Sequence, residues 1–463
     1  MTDHSRQLGE GSIPRLLLRF SIPAIVGMVA HSLYNVVDRI FVGRAAGVEG
    51  IAAITVCLPA MLIIMGFVML IGLGANSLVS IKLGERKKED AEVVFGNAIV
   101  LLILAALVLS MAGLAFLDPV LRIFGSSEAI LPLSRSYLRI VLIGTVFQFL
   151  GFGMNNFIRG EGNPRIAMLT MLIGAALNIV LDPILIFGFG MGVKGAALAT
   201  VISMAISSAW VVSYFLSEKS TLRIRFQNFR VRWEIARPII SIGSPPFAMH
   251  IAASVLNSIL NNQLLAYGGE LAISVMGIIF SLVMIILMPV FGINQGVQPI
   301  IGYNYGARRF DRVKKALLLA IAAATMITTV GFVISRFFPV PLIRLFSEND
   351  PALVELGAHA MGIFLMMLPV VGFQIVSANY FQAVGKPKQA LFLSLSRQLI
   401  LLIPAIVILP RFFGLDGLWF SGPASDFGSS VLSGIWLFFE LRNLDLKQRE
   451  SVACTAASAH FPL

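Results

Sequence analysis

Ser21-Ile22-Pro23-Ala24-Ile25-Val26 opens a long apolar run near the amino terminus. Ser244-Pro245-Pro246-Phe247-Ala248 opens another, about 223 residues on. Lys82-Leu83-Gly84-Glu85-Arg86-Lys87 closes a Gly-rich apolar stretch, and Asn304-Tyr305-Gly306-Ala307-Arg308-Arg309 closes its counterpart. Gly162-Asn163-Pro164-Arg165 is answered by Gly385-Lys386-Pro387-Lys388, and Gly192-Val193-Lys194-Gly195 by Gly414-Leu415-Asp416-Gly417. One offset shared by four marks is an internal duplication. Paired sets of membrane-crossing helices are the architecture of alternating-access carriers.

Composition supports a membrane location. Apolar residues make up 57% of the 463 and charged residues 13%, with a mean hydropathy of +0.88. A soluble domain carries about twice that charge. The apolar runs are about 20 residues long, enough to cross the hydrocarbon core of a bilayer. The fold class expected is therefore all-α and integral to the membrane. Met1 to Arg19 has no apolar core ahead of a small-residue cleavage site, which predicts no cleaved signal peptide. The net charge of +11 does not indicate nucleic acid, because the cations lie between apolar runs and not on one soluble face. Cys57 falls in a span and Cys454 in the tail, so both are expected as free thiols.

Twelve transmembrane helices are predicted, near 20–43, 50–74, 94–117, 133–158, 166–187, 195–216, 238–266, 272–298, 316–338, 356–382, 391–410 and 418–440. They divide the chain into an amino-terminal lobe (1–217), an arginine-rich linker (218–237), a carboxy-terminal lobe (238–441) and a tail (442–463). With both termini placed in the cytoplasm, lysine and arginine favour the inner segments by about three to one. Six spans per half give the two lobes one orientation, so they are parallel repeats about an axis along the membrane normal. Pro23, Pro183, Pro245, Pro369 and Pro423 fall inside spans, each as a static kink or a hinge.

A carboxylate at bilayer depth costs several kcal/mol and needs a partner or a task. Three acids lie well inside the spans: Asp38, Asp182 and Asp426. Helical spacing sets His31, Tyr34 or Asn35, and Asp38 on one polar stripe. Asn178 and Asp182 are four apart and share a face. Thr200 ends the small-residue stretch Gly195-Ala196-Ala197-Leu198-Ala199-Thr200, and Asn155-Asn156 ends span 4. Carboxylates, amides and a hydroxyl are hard oxygen ligands, suited to Na⁺ or to a shared proton. The competing reading is local: Asp38 pairs with Arg39, and Asp182 caps the kink at Pro183. By the common offset Asp38 corresponds to Asn261, and Asp182 to Ala405 or Pro404. The second half thus keeps the scaffold without those acids. Asp426 is expected to pair with Arg397. Methionines such as Met276, Met284 and Met366 are either core filling or an adaptable lining. The chain has no phosphate-binding Gly-Lys loop and no His-Glu-x-x-His, so neither ATP drive nor a catalytic site is expected.

These residues resemble those of the multidrug and toxic compound extrusion (MATE) transporters, in their DinF-like bacterial branch. The signals are Pro23 to Gly43 with Asp38, the loop Arg159-Gly160-Glu161-Gly162-Asn163-Pro164, Asn178 with Asp182-Pro183, and Gly195 through Thr200. The resemblance spans about Gly11 to Glu440. It implies two pseudo-symmetric six-helix lobes around a V-shaped cavity in a bacterial plasma membrane. It further implies export of cationic or amphipathic drugs in exchange for H⁺ or Na⁺, hence antibiotic resistance, by a monomer whose other contacts are membrane lipids. The implied cation site is Asp38, Asn178, Asp182 and Thr200, with Tyr34, Asn156 and His31 close by and a hinge at Pro23. No cofactor beyond the coupling ion is implied. A lipid-linked oligosaccharide flippase of the same superfamily is the alternative, and it would line its cavity with cations. A membrane-embedded enzyme would need a nucleophile or metal cluster at depth, which the sequence does not offer.

Overall fold

A computed structural model describes residues 6–346 and 351–459, less the side chains of residues 6, 35, 39, 48, 254, 258 and 451–459. The described residues are almost entirely helical and include no strand. The long helices are α1 (Ile13–Gly47), α2 (Glu49–Gly84), α3 (Lys88–Ala115), α4 (Leu131–Gly160), α5 (Pro164–Gly188) and α6 (Val193–Leu216). After a connecting strap come α7 and α8, both within Trp233–Gly306, which breaks at Gly269. Then follow α9 (Phe310–Phe337), α10 (Pro351–Phe364 with Leu368–Ala383), α11 (Pro387–Ile408) and α12, within Pro410–Ala459.

Among the described residues nine helices are long and apolar enough to cross a membrane, ten if a bent pair is one span; Trp233–Gly306 holds two of the twelve expected spans, and Pro410–Ala459, which holds the last, falls short. Span 10 is bent by 51° between Phe364 and Leu368. Pro369 sits in the first turn of the second piece and has no N–H to continue the ladder from the first. Span 12 is less apolar than the rest, because Asp426 and serines at every fourth position interrupt it. Ser421, Ser425, Ser429 and Ser433 are all buried, so this small-residue stripe faces protein, as small residues do where membrane helices approach closely. Pro23 produces no break: α1 keeps helical geometry through it and ends at Gly47.

Exposure is inverted relative to a soluble protein. On α1, Leu18, Ile22, Val26, Val29, Leu33, Val36 and Ile40 are all exposed, a stripe of period three and four. Asn76, Asn155, Arg159, Asn178 and Asp182 are buried. An apolar outer stripe, with polar side chains held inside a largely apolar core, fits hydrocarbon as the outer solvent.

The duplication reappears in the backbone. Left-handed φ occurs at Gly47 and Gly269, Arg86 and Arg308, Gly162 and Gly385, and Gly192 and Gly414, each pair 222 or 223 residues apart. Arg86 and Arg308 end their helices by the same device. Arg86 N–H bonds Leu83 O and Lys87 N–H bonds Lys82 O; Arg308 N–H bonds Tyr305 O and Arg309 N–H bonds Asn304 O.

The chain forms two compact units. One holds Ile22–Phe247; the other holds Ala248 onward together with Ser12–Ser21. In the first unit, the start of α7 lies against α2 at glycine contacts. A Cβ on Gly243 would stand 1.7 Å from Leu70 O, and one on Gly74 would stand 2.1 Å from Ile239 O. In the second unit, a Cβ on Gly296 would stand 2.7 Å from the Ser21 backbone N. Cys57 is buried and free, as expected, whereas the Cys454 side chain lies outside the described residues.

The segment expected as a linker at 218–237 is shorter, since α7 begins at Trp233, and it is fastened to the first unit. Glu161, fully buried after α4, accepts from Tyr214 Oη, from Ser220 Oγ at 2.8 Å, and from the N–H groups of Thr221 and Leu222 at 2.9 and 3.1 Å. Arg225 Nε donates to buried Glu92 at 2.8 Å, and Arg232 N–H donates to Asn97 Oδ1 at 2.8 Å. Burial pushes the Glu161 carboxyl up to about 7, although its donors pull the other way.

Two outcomes follow. Gly243→Ala is expected to lower thermal stability in detergent by at least about 1–3 kcal/mol through overpacking. Gly277→Ala, with nothing within 4 Å, is expected to be neutral or slightly stabilising. The second outcome concerns pH. The folded chain keeps a proton on Glu161 that the unfolded chain releases between about pH 4.5 and 7, so this group's contribution to stability falls as pH rises through that window. Thermal unfolding should show a decline there that is absent in Glu161→Gln.

Candidate functional site

Asp182 and Pro183 stand where α5 changes hydrogen-bond pattern. Pro183 has no N–H, and residues Ile184–Gly188 form a π-helical turn. The start of α6 is pressed onto this turn, since a Cβ on Gly195 would stand 2.8 Å from Leu185 C and O. Glycine there lets α6 come close enough to present Thr200 to α5.

The three residues expected to cooperate on α5 and α6 are brought together. Asn178 Nδ2 lies 3.4 Å from Asp182 Oδ1 and 3.4 Å from Thr200 Oγ1, and all three are buried. Both bonds are long, so one amide donor holds two oxygens loosely. Asn178 Oδ1 and Asp182 Oδ2 have no hydrogen-bond partner. Buried oxygens with so few donors carry an uncompensated loss of water.

Asp38, on α1, is buried at 7% exposure and acts electrostatically on Asp182. Both carboxylates act on the hydroxyl of Tyr137, a buried residue of α4. Tyr34 belongs to the same neighbourhood, since it too acts on Tyr137. His31 packs its ring edge against Tyr34 at 4.8 Å between centroids, with Phe152 at 6.1 Å. The site thus draws on α1, α4, α5 and α6 of one unit. The rival pairing of Asp38 with Arg39 lies outside the described residues.

Asn156 is differently employed. Its Nδ2 donates to Phe152 O and Gly153 O, and its Oδ1 accepts from Arg159 Nη2 at 2.7 Å. Its neighbour Asn155 is buried with Oδ1 unpartnered. Tyr137 escaped the sequence reading. It stands between Arg135 and Arg139 at the start of a span, where a tyrosine reads as an interfacial anchor. The expected Arg397–Asp426 pair is present in the second unit, with Arg397 Nε donating to Asp426 Oδ1 at 2.5 Å. Among the described residues no group of three or more His, Cys, Asp or Glu converges on one point. The donor set of two carboxylates with neutral oxygens fits a proton or an alkali cation.

Comparison with known proteins gives a consistent result. The family model described as MatE matches residues 23–184 and 245–408, one match in each half of the chain. Multidrug export protein MepA of Staphylococcus haemolyticus (strain JCSC1435) is 29% identical over 434 residues, covering 94% of this chain and 95% of that protein. Multidrug export protein MepA of Staphylococcus aureus (strain MRSA252) is 30% identical, covering 88% and 89%. Among solved structures, that of MATE in the bent conformation superposes with a TM-score of 0.91 at 26% identity, covering 97% of this chain and all of that one.

If the oxygens of Asp38, Asn178, Asp182 and Thr200 form a cation site, binding must stabilise the fold. A ligand at about 100 times its Kd adds about 2.7 kcal/mol. Replacing choline by Na⁺, or lowering pH, is expected to raise the unfolding temperature of the wild type. The response should be lost in Asp182→Asn; a full response in that variant would place the site elsewhere.

Proposed function

The chain belongs to the MatE family, and from this we infer that it is a secondary transporter exporting cationic and amphipathic compounds in antiport with H⁺ or Na⁺. The observation that carries the reading is the buried cluster in which Asn178 reaches both Asp182 and Thr200, with Asp38, also buried, acting electrostatically on Asp182. Two negative charges in a dry bundle repel each other and lack water. One small cation, or a proton, relieves both costs. A site that is stable only when occupied is a natural point of coupling, because it favours whichever access state lets a cation in.

The drive is the ion's own concentration gradient, because a singly charged cation exchanged for one H⁺ or Na⁺ moves no net charge across the membrane. A tenfold ion gradient supplies about 1.4 kcal/mol and sustains about a tenfold gradient of such a cargo. The polar stripe of His31 and Tyr34 on α1 would sense occupancy through Asp38, and Pro23 on that helix is the place for it to bend. The basic bias of the loops supports cytoplasmic termini and a bacterial plasma-membrane location. The exposed apolar stripe on α1 supports direct contact with lipid, and we assign the monomer as the working unit.

The flippase reading has less support. A pyrophosphate-linked lipid needs several free cations at depth. The one arginine in the middle of a carboxy-terminal span, Arg397, already has an acid partner.

Asp38→Asn is expected to reduce export of a cationic dye from cells by tenfold or more, with membrane insertion and unfolding temperature close to those of the wild type. Export at the wild-type rate by a correctly inserted Asp38→Asn protein would remove Asp38 from the coupling machinery.

A further inference from the structure

The strap between α6 and α7 carries a pattern that the cation site does not use. Arg223-Ile224-Arg225-Phe226 is followed, seven residues on, by Arg230-Val231-Arg232-Trp233. Each copy reads basic, aliphatic, basic, aromatic. All four arginines are exposed, and so are Phe226 at 83% and Trp233 at 68%. Residues 218–237 hold six cations against two acids, Glu218 and Glu234. Arg225 reaches inward to buried Glu92. Arg223, Arg230, Arg232 and Arg237 have no acid partner among the described residues.

The helices of the first unit fix where this surface lies. The strap leaves α6 at Leu216 and enters α7 at Trp233. It is fastened to the end of α4 through Glu161 and to the start of α3 through Glu92 and Asn97. A Cβ on Gly96 of α3 would stand 2.6 Å from Asn228 Cβ, so the contact is close as well as polar. Four helix ends meet at this level, where hydrocarbon gives way to headgroups. The chain is extended at Arg225, with φ −116° and ψ 119°. Alternate side chains of an extended chain face opposite ways. Accordingly Leu222 is buried, while Arg223 and Arg225 are exposed. Exposed aromatic rings beside arginines at the end of a span are the composition of a membrane interface. A soluble phosphate would satisfy the guanidinium groups alone and leave the two rings in water. An anionic phospholipid offers phosphate to the first and acyl chain to the second.

We propose that the strap is a docking surface for anionic phospholipids of the adjoining leaflet. Arg223, Arg230, Arg232 and Arg237 take the headgroup phosphates, and Phe226 and Trp233 seat among the upper acyl carbons. The inner fastenings hold the strap in place beforehand, so binding has little new chain to order. The surface is separate from the paired carboxylates and does not depend on the export reading.

The test is displacement of fluorescent NBD-labelled phosphatidylglycerol from the full-length protein in dodecyl maltoside. The competitors are unlabelled phosphatidylglycerol, phosphatidylcholine, glycerol 3-phosphate and inorganic phosphate. One variant replaces Arg223, Arg230, Arg232 and Arg237 by Gln and keeps Arg225; the Arg232 N–H that Asn97 accepts is unaffected, since it is main chain. A second combines Phe226→Ser with Trp233→Ser. A control replaces the exposed cations Lys315, Lys388, Arg442 and Arg449 of the second unit by Gln. Only phosphatidylglycerol should displace the probe. The strap arginine variant should weaken probe binding at least tenfold and the aromatic variant at least threefold, with the control within about twofold of wild type. Should the fourfold variant not fold, Arg230→Gln and Arg223→Gln singly, each expected to weaken binding about fivefold, carry the same decision. Equal weakening in the control, displacement by phosphatidylcholine as readily as by phosphatidylglycerol, or displacement by inorganic phosphate at matched concentration would overturn the proposal. The first outcome would leave only general attraction to basic loops, the second only detergent-like lipid binding, and the third a phosphate site.

Discussion

Two buried carboxylates, Asp38 and Asp182, set the terms for the amino-terminal unit. Asp38 and Asp182 lie within each other's field, inside a bundle whose outer surface is built for hydrocarbon. Neither could remain there for structural reasons alone, since an apolar residue of similar size would hold the helices at lower cost. The local structure is consistent with that demand. Pro183 and the π-helical turn give α5 an irregular end beside Asp182, Gly195 lets α6 approach, and Asn178 spans Asp182 and Thr200 with one amide. The result is a cluster of buried oxygens short of donors.

The duplication separates what is scaffold from what is chemistry. Both units repeat the same left-handed residues, down to an arginine at the same place in the same helix-terminating motif. A non-glycine residue with positive φ is uncommon, so its recurrence at one offset reflects a shared backbone rather than chance. The buried polar chemistry repeats only in part: Ser203 and Ser207 recur as buried Ser425 and Ser429, and Asn76 as Gln298, whereas buried Asp38 and Asp182 have no acidic counterpart. The second unit has a guanidinium, one paired acid and several amides around Arg397, Asp426 and Gln374. Such specialisation suits an exchanger, in which the driving ion and the cargo need different sites.

Much of this was legible in the sequence, and the reasons are physical. Twenty-residue apolar runs and proline or glycine punctuation report directly on a bilayer's thickness, so the spans and the repeat could be read. The group Asn178, Asp182 and Thr200 could be read because acids and amides are rare at depth and helical spacing is rigid. Tyr137 could not, since a tyrosine flanked by arginines has the signature of an interface and only packing shows that it turns inward. The fastening of the strap to Glu161, Glu92 and Asn97 was equally hidden, because an arginine-rich segment looks like a solvated linker. The bend in α10 lay in one proline among many, and composition does not say which prolines neighbouring helices repair.

Cation exchange at the paired carboxylates is the central claim, and flux is its direct measure. The purified protein would be reconstituted into liposomes, and movement of a cationic dye followed under an imposed Na⁺ gradient and, separately, an imposed pH gradient. The account predicts that at least one gradient drives the dye against its own concentration difference, with the ion moving the opposite way. Dye that moves only downhill, at a rate neither gradient changes, would contradict it.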